Sequence, residues 1–381
     1  RSGKVISNTH PLSGRTIGDK ILAIPSGVGS CTGSQVLLEL LLNGNGPAGI
    51  ITARPDPILA ISSVVASEIF DVSPIPILSL NCDNAFESIR YFDTGSIEDN
   101  RIVFDDREEV MYDAIVDNLK LEEKDVRLLK GEFGVAAKDA MTIVCACARL
   151  QGAEKLIDVS SVHIDSTIFI GEAGMKYVQH FRNVEENARV SVSTTTNSGS
   201  VDRKAWREMN IDEDFGVEAQ RLGDAYVELG CEPTFTCAPY LLPSSRPKLG
   251  ENVCWGESNA VVFANTVCGA RTQKCGDFLD LAVAITGRAP YVSTHIEENR
   301  RASIVLNVPE RIVQDAKHDD AFYAMLGYLA GRESKGKIPL VFGLDVKCVS
   351  EDRLKSFCAA FGTSGSVSMC HIDGVTPESF S

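Results

Sequence analysis

Short apolar runs alternate with longer apolar-periodic stretches over residues 1–80. Ile21–Ile24, Pro47–Thr52 and Ile75–Leu80 are short runs bounded by Gly, Pro or Asp, which predicts strands. Between them Gln35–Leu42 is apolar enough for a buried helix, and Asp56–Phe70 predicts a helix that starts at Asp56 or Pro57. This alternation predicts a small α/β layer. Residues 81–118 form a transition, with an acidic run at Ser96–Asn100 expected as a solvated connection and a strand at Arg101–Phe104. A second, larger α/β unit is expected over 119–381. Leu121–Lys130 predicts an amphipathic helix, and Ala136–Leu150 an apolar one closed by Gly152. Lys155–Val159 and Arg189–Asn197 predict strands, Phe215–Gly230 and Phe278–Gly287 helices. Strands at Ala302–Asn307 and Ile338–Phe342 flank a helical stretch, Asp319–Gly331.

Three places along this pattern put polar groups where apolar neighbours surround them. The densest is Thr236–Thr272, which holds Cys237, Tyr240, Glu257, Ser258, Asn259, Asn265, Arg271 and Thr272 among Val261, Val262, Phe263, Ala264 and Val267. A polar group left unpartnered in such surroundings costs about 1–3 kcal/mol, so a repeated pattern of this kind predicts a lined pocket. Arg271 can grip a carboxylate bidentately or sit in a structural ion pair. Cys237 can offer a thiolate to iron or be a plain thiol. The Lys155–Val159 run leads into Ser160, His163, Asp165 and Ser166, and the Arg189 run ends in Thr194, Thr195, Thr196 and Asn197. Strand ends of this kind present ligand contacts in open α/β sheets, but a satisfied structural His and an ordinary Ser/Thr turn are equally open readings. The third place is Pro25–Ser34, PSGVGSCTGS, a glycine-rich turn between a strand and a helix. It either aims backbone N–H groups at an anion or makes a tight connection. No Gly-Lys-Ser/Thr closes it as a Walker loop.

Composition narrows the class. The 381 residues are 44% hydrophobic and 23% charged, ordinary for a globular protein and enough for two or three domains. Thirty-seven basic against 52 acidic residues leave a net charge of −15, which argues against nucleic acid or an anionic membrane as partner and leaves a small-molecule substrate. The start, RSGKVISNTHPLSG, has neither an apolar signal core nor an initiating Met, so upstream residues are expected. The 12 cysteines are scattered and include Cys145, Cys147, Cys268 and Cys358 in apolar runs, which fits reduced thiols in the cytosol or an organelle matrix.

TCAPY at 236–240, ESNAVVFAN at 257–265 and GART at 269–272 resemble the aconitase X family, and the likeness extends from about Ser7 onward. The resemblance implies a small swivelling β/α domain over 1–80, a linker over 81–118 and an aconitase-like α/β catalytic domain over 119–381, with the active site in the cleft between them. It implies a hydro-lyase that dehydrates a small hydroxy acid, and the fused order is similar to members acting on cis-3-hydroxy-L-proline. The sister branch dehydrates mevalonate 5-phosphate, and a second basic residue beside Arg271 would favour it. Gly27-Val-Gly-Ser30 matches the family turn whose serine is the base, so the resemblance makes Ser30 catalytic. Thr32, Ser34, His163, Thr195, Thr196, Asn197, Glu257, Ser258, Asn259, Arg271 and Thr272 are then substrate-binding, and Cys237 a ligand of an iron–sulfur cluster or iron. Two further cysteine ligands are expected beyond Glu378, where this chain ends at Ser381. The chain therefore reads as a piece lacking its C-terminal part, or as a homologue unable to build the metal site. Cys254, Cys268, Cys275 and Cys370 are not taken as ligands. A different class also remains, acyl transfer by Cys237 with His163, His295 or His371.

Overall fold

A computed structural model describes residues 2–27, 30–80, 89, 94–98, 101–104, 107–111, 117–316 and 318–379. The first lobe is a parallel sheet of β1 (Ile21–Ile24), β2 (Gly49–Thr52) and β3 (Ile77–Ser79) in that order, with Ile21 opposite Gly49 and Ile50 opposite Ile77. Helices α1 (Gly33–Leu42) and α2 (Pro57–Phe70) make the crossovers. Asp56 caps α2, its Oδ1 accepting from the amides of Ile58 and Leu59 at 3.0 Å each, with Pro57 at the first helical position. The other oxygen accepts from the amide of Gly27 at 2.7 Å, tying the glycine-rich turn to the helix start.

An antiparallel meander follows: β4 (Gly95–Glu98), β5 (Arg101–Phe104) and β6 (Arg107–Met111). The expected solvated connection at Ser96–Asn100 is corrected in its described part, since Ser96, Ile97 and Glu98 are in β4. Asp99 and Asn100 lie outside the described residues. Ser96, Ile97 and Glu98 pair with Val103, Ile102 and Arg101 of β5, which is anchored by Ile102 and Phe104 buried against Ile51 and Leu80.

The larger lobe begins with α3 (Glu123–Leu129) and α4 (Val135–Leu150). Three parallel strands carry its chemistry: β8 (Ser161–Ile164) in the middle, β9 (Ser193–Thr196) on one side and β10 (Cys254–Trp255) on the other. β7 (Leu156–Asp158) pairs instead with β11 (Arg288–Pro290). The single run expected from Lys155 into Ser166 is thus two strands of different sheets, and His163 lies inside β8 rather than past its end. Helices α5 (Glu172–Val184) and α6 (Glu213–Glu228) follow, then α7 (Ser258–Phe263), which continues as a π-helical turn over Ala264–Cys268, and α8 (Leu279–Thr286). A last parallel sheet, β12 (Ile304–Asn307), β13 (Pro339–Phe342) and β14 (His371–Ile372), packs with α9 (Glu310–Ala316), α10 (Asp320–Ser334) and α11 (Glu351–Ser364). No helix among the described residues is long and apolar enough to cross a membrane.

The two lobes share one core. Leu38 and Val65 of the first lobe belong to the same buried cluster as Met141 and Val144 of α4 and Leu281 and Val283 of α8. They approach closely at Gly276, where a Cβ would lie 2.5 Å from Ile61 Cγ2 and 2.9 Å from the carbonyl oxygen of Ile58. Only a residue without a side chain lets α2 sit there. Glu39 of α1 accepts from the amide of Ala173 at 2.9 Å, at the N-terminus of α5, where a carboxylate is favoured.

Candidate functional site

The register of the central sheet sets the site. Trp255 and Thr195 both stand opposite His163, so the chain leaves β8, β9 and β10 at one edge, by way of Asp165, Asn197 and Glu257. This is the carboxyl edge at which open α/β sheets present ligand-contacting groups. Gly256 allows the convergence, because a Cβ there would meet Asp165 Cβ at 2.7 Å. Asn197 donates from Nδ2 to Glu257 Oε2 at 2.9 Å and to Asp165 Oδ1. Its own oxygen accepts from the amide of Ser198 at 2.7 Å, which fixes the orientation of the carboxamide.

Beneath this edge are three fully buried acids, Asp165, Asp277 and Asp280. Asp280 is well served, accepting from the amides of Asp165 (2.9 Å), Leu281 (2.7 Å) and Phe278 (3.1 Å) and from Ser166. Asp165 Oδ2 and Asp277 Oδ1 are buried and have no hydrogen-bond partner among the described residues. Burial raises the pKa of Asp165 well above the carboxylate range, reinforced by the charges of Asp277 and Glu257. Burial likewise raises Asp277, with the charge of Asp280 next. Burial and mutual repulsion favour the protonated form of both acids.

This has a measurable consequence. The unfolded chain releases these protons near pH 4, whereas the folded protein keeps them to higher pH. Their stabilising contribution is complete below the unfolded value and is lost as pH rises towards the folded one, at about 1.4 kcal/mol per pH unit for each retained proton. Asp165→Asn removes one such proton. Its unfolding free energy relative to the parent chain is expected to rise as pH increases above the unfolded carboxylate range, by up to about 1.4 kcal/mol per unit. Urea midpoints at stepped pH check this, and parallel curves would contradict a proton retained by Asp165.

The other residues singled out in the sequence fall into two sets. Around Glu257, the first set is continuous: its Oε1 accepts from the amide of Asn259 (3.2 Å) and from Ser258 Oγ (3.3 Å). Asn259 donates to the carbonyl oxygen of Cys237 at 3.0 Å and accepts from the Tyr240 hydroxyl at 3.1 Å. Ser30, exposed, is hydrogen-bonded to Thr32 Oγ1 at 2.8 Å and accepts from the amide of Thr32 at 3.2 Å, just before α1. Val28 and Gly29 of the same turn lie outside the described residues. Ser34 is buried and donates to the carbonyl oxygens of Cys31 (2.8 Å) and Asp277 (3.3 Å).

The second set is engaged within the scaffold. His163 Nδ1 bonds Thr195 Oγ1 at 2.8 Å, and burial lowers the imidazole to about 3, so it is neutral at physiological pH. Thr196 donates to the carbonyl oxygen of Glu232 at 2.9 Å, and Thr272 Oγ1 accepts from the amide of Trp255 at 3.1 Å. Arg271 is occupied by Glu378 at 3.0 Å, by Glu297 and by the carbonyl oxygen of Gly269 at 2.9 Å, so a carboxylate ligand there would have to displace an acid. His295 bonds Asn252 and His371 bonds the carbonyl oxygen of Arg300; among the described residues no hydrogen bond joins Cys237 to a histidine.

Cys237 is exposed, and the described residues contain no group of three His, Cys, Asp or Glu side chains able to hold a metal ion. Cys237 alone does not make an iron site.

Between the lobes lies a cavity of about 770 Å³, lined by Thr52, Arg54 and Asp56 from one side and by Gln273, Lys274 and Ser368 from the other. Lys274 is buried, donates to the carbonyl oxygens of Gly362 (2.8 Å) and Gly365 (2.9 Å), and is shifted down by desolvation. Arg54 donates to the carbonyl oxygen of Lys335. Asp277, Lys274 and Gln35 were not among the residues expected at the site. The signal was available, because Lys274, Asp277 and Asp280 are charges in the apolar continuation of the Thr236–Thr272 stretch.

The chain is 45% identical over 387 residues to a cis-3-hydroxy-L-proline dehydratase of Hypocrea jecorina, a match covering 99% of this chain and 64% of the relative. It is 34% identical over 260 residues to a phosphomevalonate dehydratase large subunit of Methanocaldococcus jannaschii, covering 68% of this chain and 64% of that one. The crystal structure of Thermococcus kodakaraensis aconitase X in its holo form superposes with a TM-score of 0.60 at 32% identity, covering 68% of this chain and 63% of that one. The chain thus spans under two thirds of the length of each. The model of the aconitase X swivel domain matches residues 1–105, that of the first domain 118–298 and that of the second domain 302–381. With a small lobe docked on a larger one and each matched in turn, the chain belongs to the aconitase X family.

Proposed function

We propose that the protein is a hydro-lyase that dehydrates a small hydroxy acid, cis-3-hydroxy-L-proline, to a pyrroline-2-carboxylate. The observation that carries this reading is that the match to the hydroxyproline-named relative runs over 99% of this chain, small lobe and large lobe together, against 68% for the phosphomevalonate-named one. Dehydration needs a base for the proton beside the carboxylate, help for the departing hydroxyl, and a hold on the carboxylate. Ser30 is the proposed base. The Thr32 amide donates to its Oγ at 3.2 Å, and the start of α1 follows, so both the hydrogen bond and the helix dipole favour the alkoxide. Asn197, Glu257, Ser258 and Asn259 form the proposed polar wall for the substrate. Iron or an iron–sulfur cluster remains part of the proposal for the whole protein, with Cys237 as one ligand. The cytosol or an organelle matrix is the proposed location, supported by described cysteines that are all free thiols.

The phosphorylated substrate stays in the test because two cations, Arg54 and Lys274, line the interlobe cavity. The test is a dehydration assay of the iron-reconstituted protein on both compounds. Turnover of hydroxyproline alone is expected. Turnover of mevalonate 5-phosphate alone, or of neither, would overturn the reading.

A further inference from the structure

One large-lobe residue touches the small lobe at three points within five residues of Ser30. The amide of Asp277 donates to the carbonyl oxygen of Cys31 at 3.4 Å, its carbonyl oxygen accepts from Ser34 Oγ at 3.3 Å, and its carboxylate Oδ2 accepts from Gln35 Nε2 at 2.6 Å. Cys31, Ser34 and Gln35 are buried there, while Ser30 itself is exposed. The inner side of the turn is clamped and its outer side is free.

The clamp stands on a stiff base. Phe278, directly after Asp277, has φ of +84°, a conformation that a bulky residue holds only when its surroundings impose it. Its carbonyl oxygen accepts from the Tyr177 hydroxyl at 2.7 Å and its amide donates to Asp280 at 3.1 Å, both contacts within the large lobe. The carboxyl group is buried, with Gln35 Nε2 as the donor to Oδ2 and no partner at Oδ1 among the described residues. Asn197 joins Glu257 to Asp165 at the sheet edge, and Asp277 joins the large lobe to Gln35 beside the turn. The lobes are also held by Glu39 on α5 and by α2 on Gly276, so loss of this clamp alone leaves the lobes docked.

We propose that Asp277 is a positioning residue that sets where Ser30 stands against the large lobe, by fixing Cys31, Ser34 and Gln35 from beneath. The inference rests on the reading of Ser30 as the base. Asp277 does not touch the substrate on this account; it acts through the turn.

The test is hydrogen exchange with kinetics on the parent protein, Asp277→Ala and Asp277→Asn. In Asp277→Ala, amide protection over residues 33–38 is expected to fall at least about tenfold while α8 is unchanged, a local opening rather than unfolding. In the same variant kcat should fall at least about tenfold with KM within about twofold, since an interaction needed for turnover and not for binding has been removed. Asp277→Asn keeps an acceptor for Gln35 and should recover most of both. If Asp277→Ala does not fold, Gln35→Leu, which removes the same bond from the small lobe, must show the same loosening. Unchanged protection over 33–38 in the folded alanine variant, or in Gln35→Leu where it is the one that folds, overturns the proposal. The exchange reads the clamp even if the parent protein turns over neither substrate, so failure of the clamp and failure of the dehydratase reading are separable.

Discussion

Ser30→Ala is expected to lower kcat for dehydration by at least about 10³-fold while the substrate Kd, measured by calorimetry, stays within about threefold. The expectation follows from what surrounds the hydroxyl. Its hydrogen-bond partners are the Thr32 hydroxyl and amide, one residue short of a helix start. These stabilise an alkoxide, and neither replaces it as a base. Alanine removes a single oxygen from an exposed position, so folding and the buried contacts of Cys31, Ser34 and Gln35 should persist. Thr32→Val gives the complementary result, because it keeps the amide donor and removes one hydroxyl, and a smaller loss is expected. Retained turnover in Ser30→Ala would remove the serine from the mechanism.

The second large effect is on stability. Arg288→Met is expected to destabilise the chain by about 3–5 kcal/mol, read as a shift in the denaturant midpoint. Arg288 is buried on β11 and grips the fully buried Asp125 of α3, Nε to Oδ1 at 2.7 Å and Nη2 to Oδ2 at 3.2 Å. The same guanidinium reaches Glu122 at 3.0 Å, Asp158 at 3.0 Å and the carbonyl oxygen of Leu156 at 3.2 Å, so it joins α3 to both strands of the β7–β11 pair. Methionine fills much of the volume but leaves Asp125 charged and without a cation. The double variant Asp125→Leu with Arg288→Met removes the stranded charge as well and should be more stable than Arg288→Met alone. If the double variant is the less stable of the two, packing rather than charge governs the site.

Much of the secondary structure was legible. The expected helix at Asp56–Phe70 is α2 with Asp56 as its cap, and Ala136–Leu150 is α4 to within one residue. The apolar stretch Phe278–Gly287 is α8, closed by Gly287 in the left-handed conformation. Helices α5, α7, α9 and α11 were not expected; α7, for example, is only six residues long. Strand β4 was hidden by the acidic run it enters, because what makes it a strand is its pairing with β5.

By itself, then, the sequence determined the alternation of elements in the first lobe, the two-unit order, and the places where polar groups stand among apolar ones. Those are local properties, readable within a few positions of each residue. The tertiary structure alone decided which polar groups meet. Arg271 finds Glu378, 107 positions on, and Asp277 meets Gln35 across 242 positions. Whether a carboxyl group is an anion, a proton store or half of an ion pair depends on distance and burial, and periodicity carries neither.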